Sequence, residues 1–239
     1  MLEDLKNFFK YRQKATLVLA IVNVGVFLVM SALADPTDVR DLVDWGACYT
    51  PYILDGDYYR LVTACFLHIG ATHLLYNMVA LLAIGDMLER EIGTWRFLVI
   101  YFGGGIAGNA VSLLTDLWED LEVYGVSAGA SGAIFALIGA MLWLVISKKG
   151  RGDQVRSISP VRMWVVVFLM AVEGFIQEGT DNAAHLGGLA AGFLLAILLC
   201  RGSYGAGSGG RRRKRIKKEK QEETTTGREW AGQKKEWWT

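Results

Sequence analysis

Four polar residues set in apolar surroundings carry the chemistry this chain offers. Ser131 stands in GASG at the head of the run SGAIFALIGAMLWLVI, His185 stands in DNAAHLGGLAAG, and His73 and Asn77 lie four apart in HIGATHLLYNM. A serine hydroxyl becomes a useful nucleophile when a neighbouring base accepts its proton, and an imidazole is such a base. A tetrahedral intermediate then needs donors aimed at its oxyanion. The side chains of His73 and Asn77, on one helix face by their i, i+4 spacing, and the backbone N–H of Ser131 at a helix start would supply them. Gly129 and Gly132 would leave room for a substrate backbone, and Phe135, one turn beyond the serine, could pack on the His185 ring. No buried carboxylate is placed to orient that histidine.

Each piece alone also has a plain structural reading. Small residues let helices approach closely, so Ser131 could be a helix contact, and His185 with Gly187, Gly188 and Gly192 could be a buried histidine on a packing face. His73 with Asn77 could bridge two helices. Zinc is the other chemistry that three histidines suggest. It fits poorly, because His68 and His73 lie five apart near a helix start and there is no HExxH pattern, so no metal or other cofactor is expected.

The elements that must position these residues follow from composition. Hydrophobic residues make up 52% of the 239, there are only three prolines, and the mean hydropathy is +0.28. The apolar residues come in long runs rather than alternating with polar ones, which points to a membrane protein. A bilayer core takes roughly 20 residues of helix. Six runs approach that length, at about 15–34, 72–88, 95–114, 131–147, 162–177 and 184–200. The expected fold is therefore an all-α polytopic membrane protein, a bundle of six transmembrane helices over 15–200. It is preceded by a cytoplasmic N-terminal segment, 1–14, and followed by a basic tail, 201–239. Ala32-Leu33-Ala34 after the first run resembles a signal-peptidase site, but the run exceeds the roughly 7 to 15 residues of a signal peptide's apolar region, so the helix is expected to be retained.

Charge sets the orientation. In or beside the loops after the first, third and fifth runs stand carboxylates from Asp35 to Asp57, from Asp116 to Glu122 and from Glu173 to Asp181, against Arg40 and Arg60 as the only cations. The remaining Lys and Arg, including Lys148, Lys149 and Arg151, fall on the other side. The positive-inside rule then makes both termini cytoplasmic, which requires an even number of spans. In this arrangement the even-numbered helices run from outside to inside, so His73, Asn77, Ser131 and His185 share one shallow layer near the outer face. Intramembrane polar residues are functional candidates. Separate pieces of sequence thus converge on a Ser131–His185 dyad. The near-zero net charge, +1, hides the asymmetry and says nothing about partners. Cys48, Cys65 and Cys200 show no metal or disulfide spacing and receive no role, although Cys48, on an outer loop, is expected to react with reagents from outside. In the tail, GSYGAGSGG has the composition of a flexible linker and RRRKRIKKEK that of an anionic-lipid contact; nucleic acid is the less favoured partner.

With these residues in view, the sequence resembles the rhomboid family of intramembrane serine proteases from about Asp57 to Ala196. YYRLVTACFLHIGATHLLYNM is similar to the family's first-loop and second-helix signature, GDMLEREIGTWRFLVIYFGGGIAGN to its second-to-third-helix stretch, GASG to its nucleophile motif and DNAAHLGGLAAG to its sixth-helix histidine motif. The resemblance implies that Ser131 is the nucleophile, His185 the general base and acid, and His73 and Asn77 the oxyanion side chains. It also implies that His68, Glu89 and Arg90 are structural, and that a short cap loop lies near Asp181. Substrate would be admitted laterally beside the second and fifth helices, with transmembrane proteins as the clients. Two departures are visible. Tyr59-Arg60 stands where the family commonly has Trp-Arg, and Phe135 where many members have tyrosine. Neither removes a catalytic atom, so an active endopeptidase of the cell membrane is expected. The alternative is a non-catalytic rhomboid-like protein that binds transmembrane clients.

Overall fold

Helix α1, Lys14–Leu33, opens the fold in the computed structural model, which describes residues 13–119, 124–147 and 180–200. Its sequence offers no local cap: Gln13 makes no side-chain bond to the helix start. The orphan N–H groups of its first turn are met from another helix instead. Glu89, 1% exposed, accepts from Ala15 N (3.3 Å), Thr16 N (2.9 Å) and Thr16 Oγ1 (2.9 Å), and Asp86 accepts from Gln13 N (2.8 Å). Two carboxylates at a helix N-terminus also oppose its dipole favourably. Thr94 Oγ1 donates to the second Glu89 oxygen at 2.8 Å, so both oxygens are engaged.

Residues 35–69 form a built loop rather than a plain connection. It contains α2 (Val39–Asp44), β1 (Cys48–Tyr49), α3 (Thr50–Leu54), α4 (Arg60–Thr63) and a 3-10 turn, Ala64–Phe66. Asp38 starts α2 by accepting from Arg40 N, a standard N-cap. Arg60 organises the loop. Though only 5% exposed, it donates to Asp57 Oδ2 (3.0 Å) and to the carbonyls of Val43 (2.6 Å) and Ala47 (3.1 Å), and its guanidinium lies over the rings of Tyr52 and Tyr59. A buried charge needs such compensation. Tyr59 therefore fills the aromatic side of the pair.

The second helical stretch carries α5 (Gly70–Ala80), a π-helical segment (Leu81–Gly85) and α6 (Asp86–Ile92). Gly93, with φ +84°, ends it. The third helix is α7, Thr94–Glu119. Beyond it β2, Val126–Ser127, pairs antiparallel with β1, Cys48 opposite Ser127 and Tyr49 opposite Val126. This two-residue ladder, within an otherwise helical chain, ties the built loop to the segment leading into Ser131. Helix α8 spans Ser131–Ile146 and α9 spans Asn182–Leu199. The run at 162–177 and the tail 201–239 lie outside the described residues.

Among the described residues four helical stretches are long and apolar enough to cross a membrane: Lys14–Leu33, Gly70–Ile92, Thr94–Glu119 and Asn182–Leu199. The third extends past the end expected from hydropathy, which places Asp116 and Glu119 in its last turns rather than in a loop. The Asp116 carboxylate is satisfied there by the Thr50 hydroxyl. Helix α8 has only 16 residues but is buried on every side from Gly132 to Val145, as expected of a helix that is apolar all round. It is the centre of the bundle. Large apolar side chains such as Val18, Ile21, Leu28, Leu75, Leu114 and Leu198 remain exposed on the outer helices, a surface that only lipid satisfies.

Glycines set how closely the central helices meet. A Cβ on Gly104 would overlap Ala136; on Gly139 it would overlap the Leu189 carbonyl, and on Gly188 and Gly192 the carbonyls of Gly132 and Ala136. Helices α7, α8 and α9 thus touch backbone to backbone, the small-xxx-small packing used inside membranes.

Candidate active site

Ser131, His185 and His73 meet at the N-terminal ends of α8, α9 and α5, and Asn77 lies one turn further along α5. Ser131 is the first residue of α8 and His185 lies in the first turn of α9. The His185 Nε2 to Ser131 Oγ distance is 2.8 Å, a hydrogen bond. Phe135, one turn along α8, stacks on the imidazole with centroids 4.3 Å apart and planes 12° from parallel. The ring is therefore held by stacking on one side and the nucleophile at its Nε2. Gly188 lets α9 come close enough for this contact, since a Cβ there would overlap the Gly132 carbonyl.

The loop that presents Ser131 is pinned from the built loop. Gly129 N donates to Ala64 O (2.9 Å), and Ala130 N donates to His68 Nε2 (3.5 Å). His68 is 1% exposed and lies outside the spanning helices, and burial pushes its pKa down to about 3. A neutral imidazole is required for that acceptor role. Its ring meets His73 edge-on, centroids 5.3 Å apart.

His73 and Asn77 lie on the buried side of α5. The Asn77 amide donates to the His73 carbonyl (2.9 Å), its own helix turn, and the residue is 6% exposed. His73 reaches the nucleophile loop: a Cβ on Gly129 would stand 2.7 Å from His73 Cε1 and 3.5 Å from Ser131 Oγ. Gly129, at φ +152°, is a position where only glycine is unstrained. The two glycines beside Ser131 thus face protein neighbours, His73 for Gly129 and α9 for Gly132. A Cβ at Gly129 would collide with His73, whereas one at Gly132 would meet Ala184 in ordinary contact.

Two further features were not read from the sequence. Asp181 is the N-cap of α9, one turn before His185, where it accepts from Ala184 N (2.8 Å) and from Ser112 Oγ of α7 (2.7 Å). Its half-buried carboxylate thus serves the first turn of α9 and the α7 hydroxyl. Asp followed three residues later by the helix interior is an N-cap signal that could have found it. The cysteines also differ from expectation. Cys48 is 6% exposed, its thiol donates to the Arg60 carbonyl (3.3 Å), and burial pushes its pKa up to about 12. It is neither reachable nor ionised, so it cannot report on the outside. Cys65 and Cys200 are likewise buried. Among the described residues no three His, Cys, Asp or Glu side chains gather as metal ligands.

The chain was compared with known proteins. Residues 55–202 match the Rhomboid domain family. Rhomboid protease GluP of Bacillus subtilis is 34% identical over 77% of this chain, and Rhomboid protease AarA of Providencia stuartii is 32% identical over 81%. RHOMBOID-like protein 5 of Arabidopsis thaliana is 38% identical over 67%. The matched regions cover 34% of GluP, 78% of AarA and 50% of the Arabidopsis protein, so the chain spans about a third of the first of these relatives.

Proposed function

The chain belongs to the rhomboid family, and on that premise we propose that it is an intramembrane serine endopeptidase acting through a Ser131–His185 dyad. The single observation that carries this reading is the 2.8 Å contact between His185 Nε2 and Ser131 Oγ, made by residues from two separate helices. His185 takes the hydroxyl proton as Oγ attacks a peptide carbonyl, and returns it to the leaving amine as the acyl-enzyme forms. A water molecule, deprotonated by the same imidazole, then hydrolyses the ester. His73, Asn77 and the Ser131 N–H are the donors for the oxyanion. Asn77 Nδ2 carries two hydrogens, so its bond to the His73 carbonyl leaves one available.

The clients are transmembrane helices. Their backbone is satisfied internally in the bilayer, so a segment must unwind before its carbonyl reaches Ser131, which favours helices broken by glycine or proline over unbroken leucine. The charge asymmetry supports six spans with both termini cytoplasmic and the dyad near the outer face of a cell membrane. The basic tail, 201–239, is assigned to anionic lipid.

The test is labelling by a fluorophosphonate probe, with cleavage of a transmembrane reporter followed by mass spectrometry. The parent protein labels and cuts near the outer end of the reporter helix; Ser131→Ala and His185→Ala do neither, and EDTA has no effect. Retained cleavage in Ser131→Ala, or inhibition by EDTA that zinc reverses, refutes the reading.

A further inference from the structure

Helices α7 and α9 meet along two stripes of small residues. Gly104 and Gly108 of α7 lie against Gly188 and the Ala184 carbonyl of α9, and Gly187 lies against Val111. Such a contact brings backbones close, with Val111 over Gly187 and Leu195 over Gly103 as its interlocking side chains. Ser112 continues the α7 stripe one turn beyond Gly108. Its hydroxyl donates to Asp181 Oδ2 at 2.7 Å, while Asp181 Oδ1 accepts from Ala184 N at 2.8 Å. Both carboxylate oxygens are thus in use, one fixing the first turn of α9 and the other fixing that turn to α7. His185 is the next residue after Ala184, and its own N–H donates to the Asp181 carbonyl at 3.1 Å.

We propose that Asp181 and Ser112 form a polar pin between α9 and α7 that sets the depth and rotation of His185 against Ser131, making both positioning residues for the proton transfer. The proposal rests on the dyad reading for its catalytic consequence. The geometry does not depend on it: the pin adds a tie from the first turn of α9 to α7 to the Phe135 stack, the Ser131 contact and the glycine packing of α9 on α8. Misplacing a catalytic group by about 1 Å costs on the order of 10²-fold in rate.

Three variants separate the pin from simple stability. Asp181→Asn keeps the cap through its oxygen and can donate its amide to the Ser112 oxygen, so it preserves both contacts without the charge. Asp181→Ala and Ser112→Ala each break the pin. With a transmembrane reporter, the two alanine variants lower kcat by about 10²-fold with KM unchanged. The double variant is no slower than either single one, and Asp181→Asn retains parent activity. Thermal midpoints of Ser112→Ala and Asp181→Asn stay at the parent value. Diethyl pyrocarbonate modification of His185, read by mass spectrometry, is faster in both alanine variants than in the parent, a readout that needs no turnover. Additive losses, activity that follows the thermal midpoint across the set, or equal modification of His185 in all variants overturns the pin. A parent protein that neither labels with fluorophosphonate nor cuts a reporter overturns the dyad instead, and the modification rates then decide the pin alone.

Discussion

Gly129→Ala puts the smallest possible group at the most crowded point of the site. The added Cβ would stand 2.7 Å from His73 Cε1, where ordinary contact begins at 3.4 Å. The imidazole must therefore retreat by roughly 0.7 Å. A donor at about 2.9 Å moved by that amount leaves hydrogen-bonding range. Loss of one oxyanion donor costs about 10²-fold to 10³-fold in kcat. The backbone adds a separate cost to folding, because φ +152° is a glycine conformation and strain of this kind amounts to about 1–3 kcal/mol. The two effects separate in a double-mutant cycle. His73→Ala empties the space that the new methyl would invade, so Gly129→Ala in that background loses little further activity while still lowering stability. Cleavage rates of a transmembrane reporter and thermal unfolding in detergent, measured on all four proteins, test this. If Gly129→Ala cuts within twofold of the parent, or if the two losses simply multiply, His73 is not a donor held in place against this glycine.

Three further outcomes follow from the surrounding structure. Glu89→Gln turns an acceptor oxygen into a donor facing donors, so it should cost about 1–3 kcal/mol in thermal unfolding. The Asp86–Arg90 pair, with its half-exposed guanidinium, is by contrast worth about 0.2–1 kcal/mol. His68 has a folded pKa of about 3 against an ordinary 6.5, so the unfolded chain binds the extra proton between these values. Stability is therefore highest above pH 6.5 and falls as pH drops toward 3, and in His68→Gln the decline in thermal midpoint from pH 7 to pH 4.5 should be shallower than in the parent. In intact cells Cys48 should resist maleimide until denaturation, whereas cysteine at the exposed Glu119 should label from outside and cysteine at Gly150 only after permeabilisation; the reverse pattern for 119 and 150 inverts the orientation.

Hydropathy made the long helices legible because it reports which surfaces lipid satisfies, and α1, α7 and α9 begin within a few residues of where their apolar runs begin. Polar groups stranded in those runs were legible for the same reason, which is how Ser131, His73, Asn77 and His185 stood out before any geometry was known. The loop at 35–69 was not. Its short helices and two-residue strand are too brief to show periodicity, and what holds them is tertiary: Arg60 reaching carbonyls of Val43 and Ala47, and Thr63 reaching Gly46. Burial of Cys48 arises from that same packing, so a position that looked like an exposed loop became interior. Asp181 read as one more acidic loop residue, since a carboxylate's partner on a distant helix leaves no mark in its own neighbourhood. Gly129 and Gly132 were recognised as special, but only coordinates show which neighbour occupies the space they free.

The uneven attachment of the site's helices has a consequence for timing. Ser131 and His185 ride on α8 and α9, whose backbones are in contact through Gly139, Gly188 and Gly192. The oxyanion pair rides on α5, where Leu75, Tyr76 and Val79 are exposed and the link to α8 is made by side chains. Any outward swing of α5 that makes way for a bulky helix carries His73 and Asn77 away from the dyad. On the proposed dyad reading, such an opening would leave Ser131 without its oxyanion donors until α5 settled back around an unwound strand. Such an interlock selects by dwell time: a stable helix that visits and leaves meets a serine without its oxyanion hole, while a segment slow to refold is still present when the hole is rebuilt.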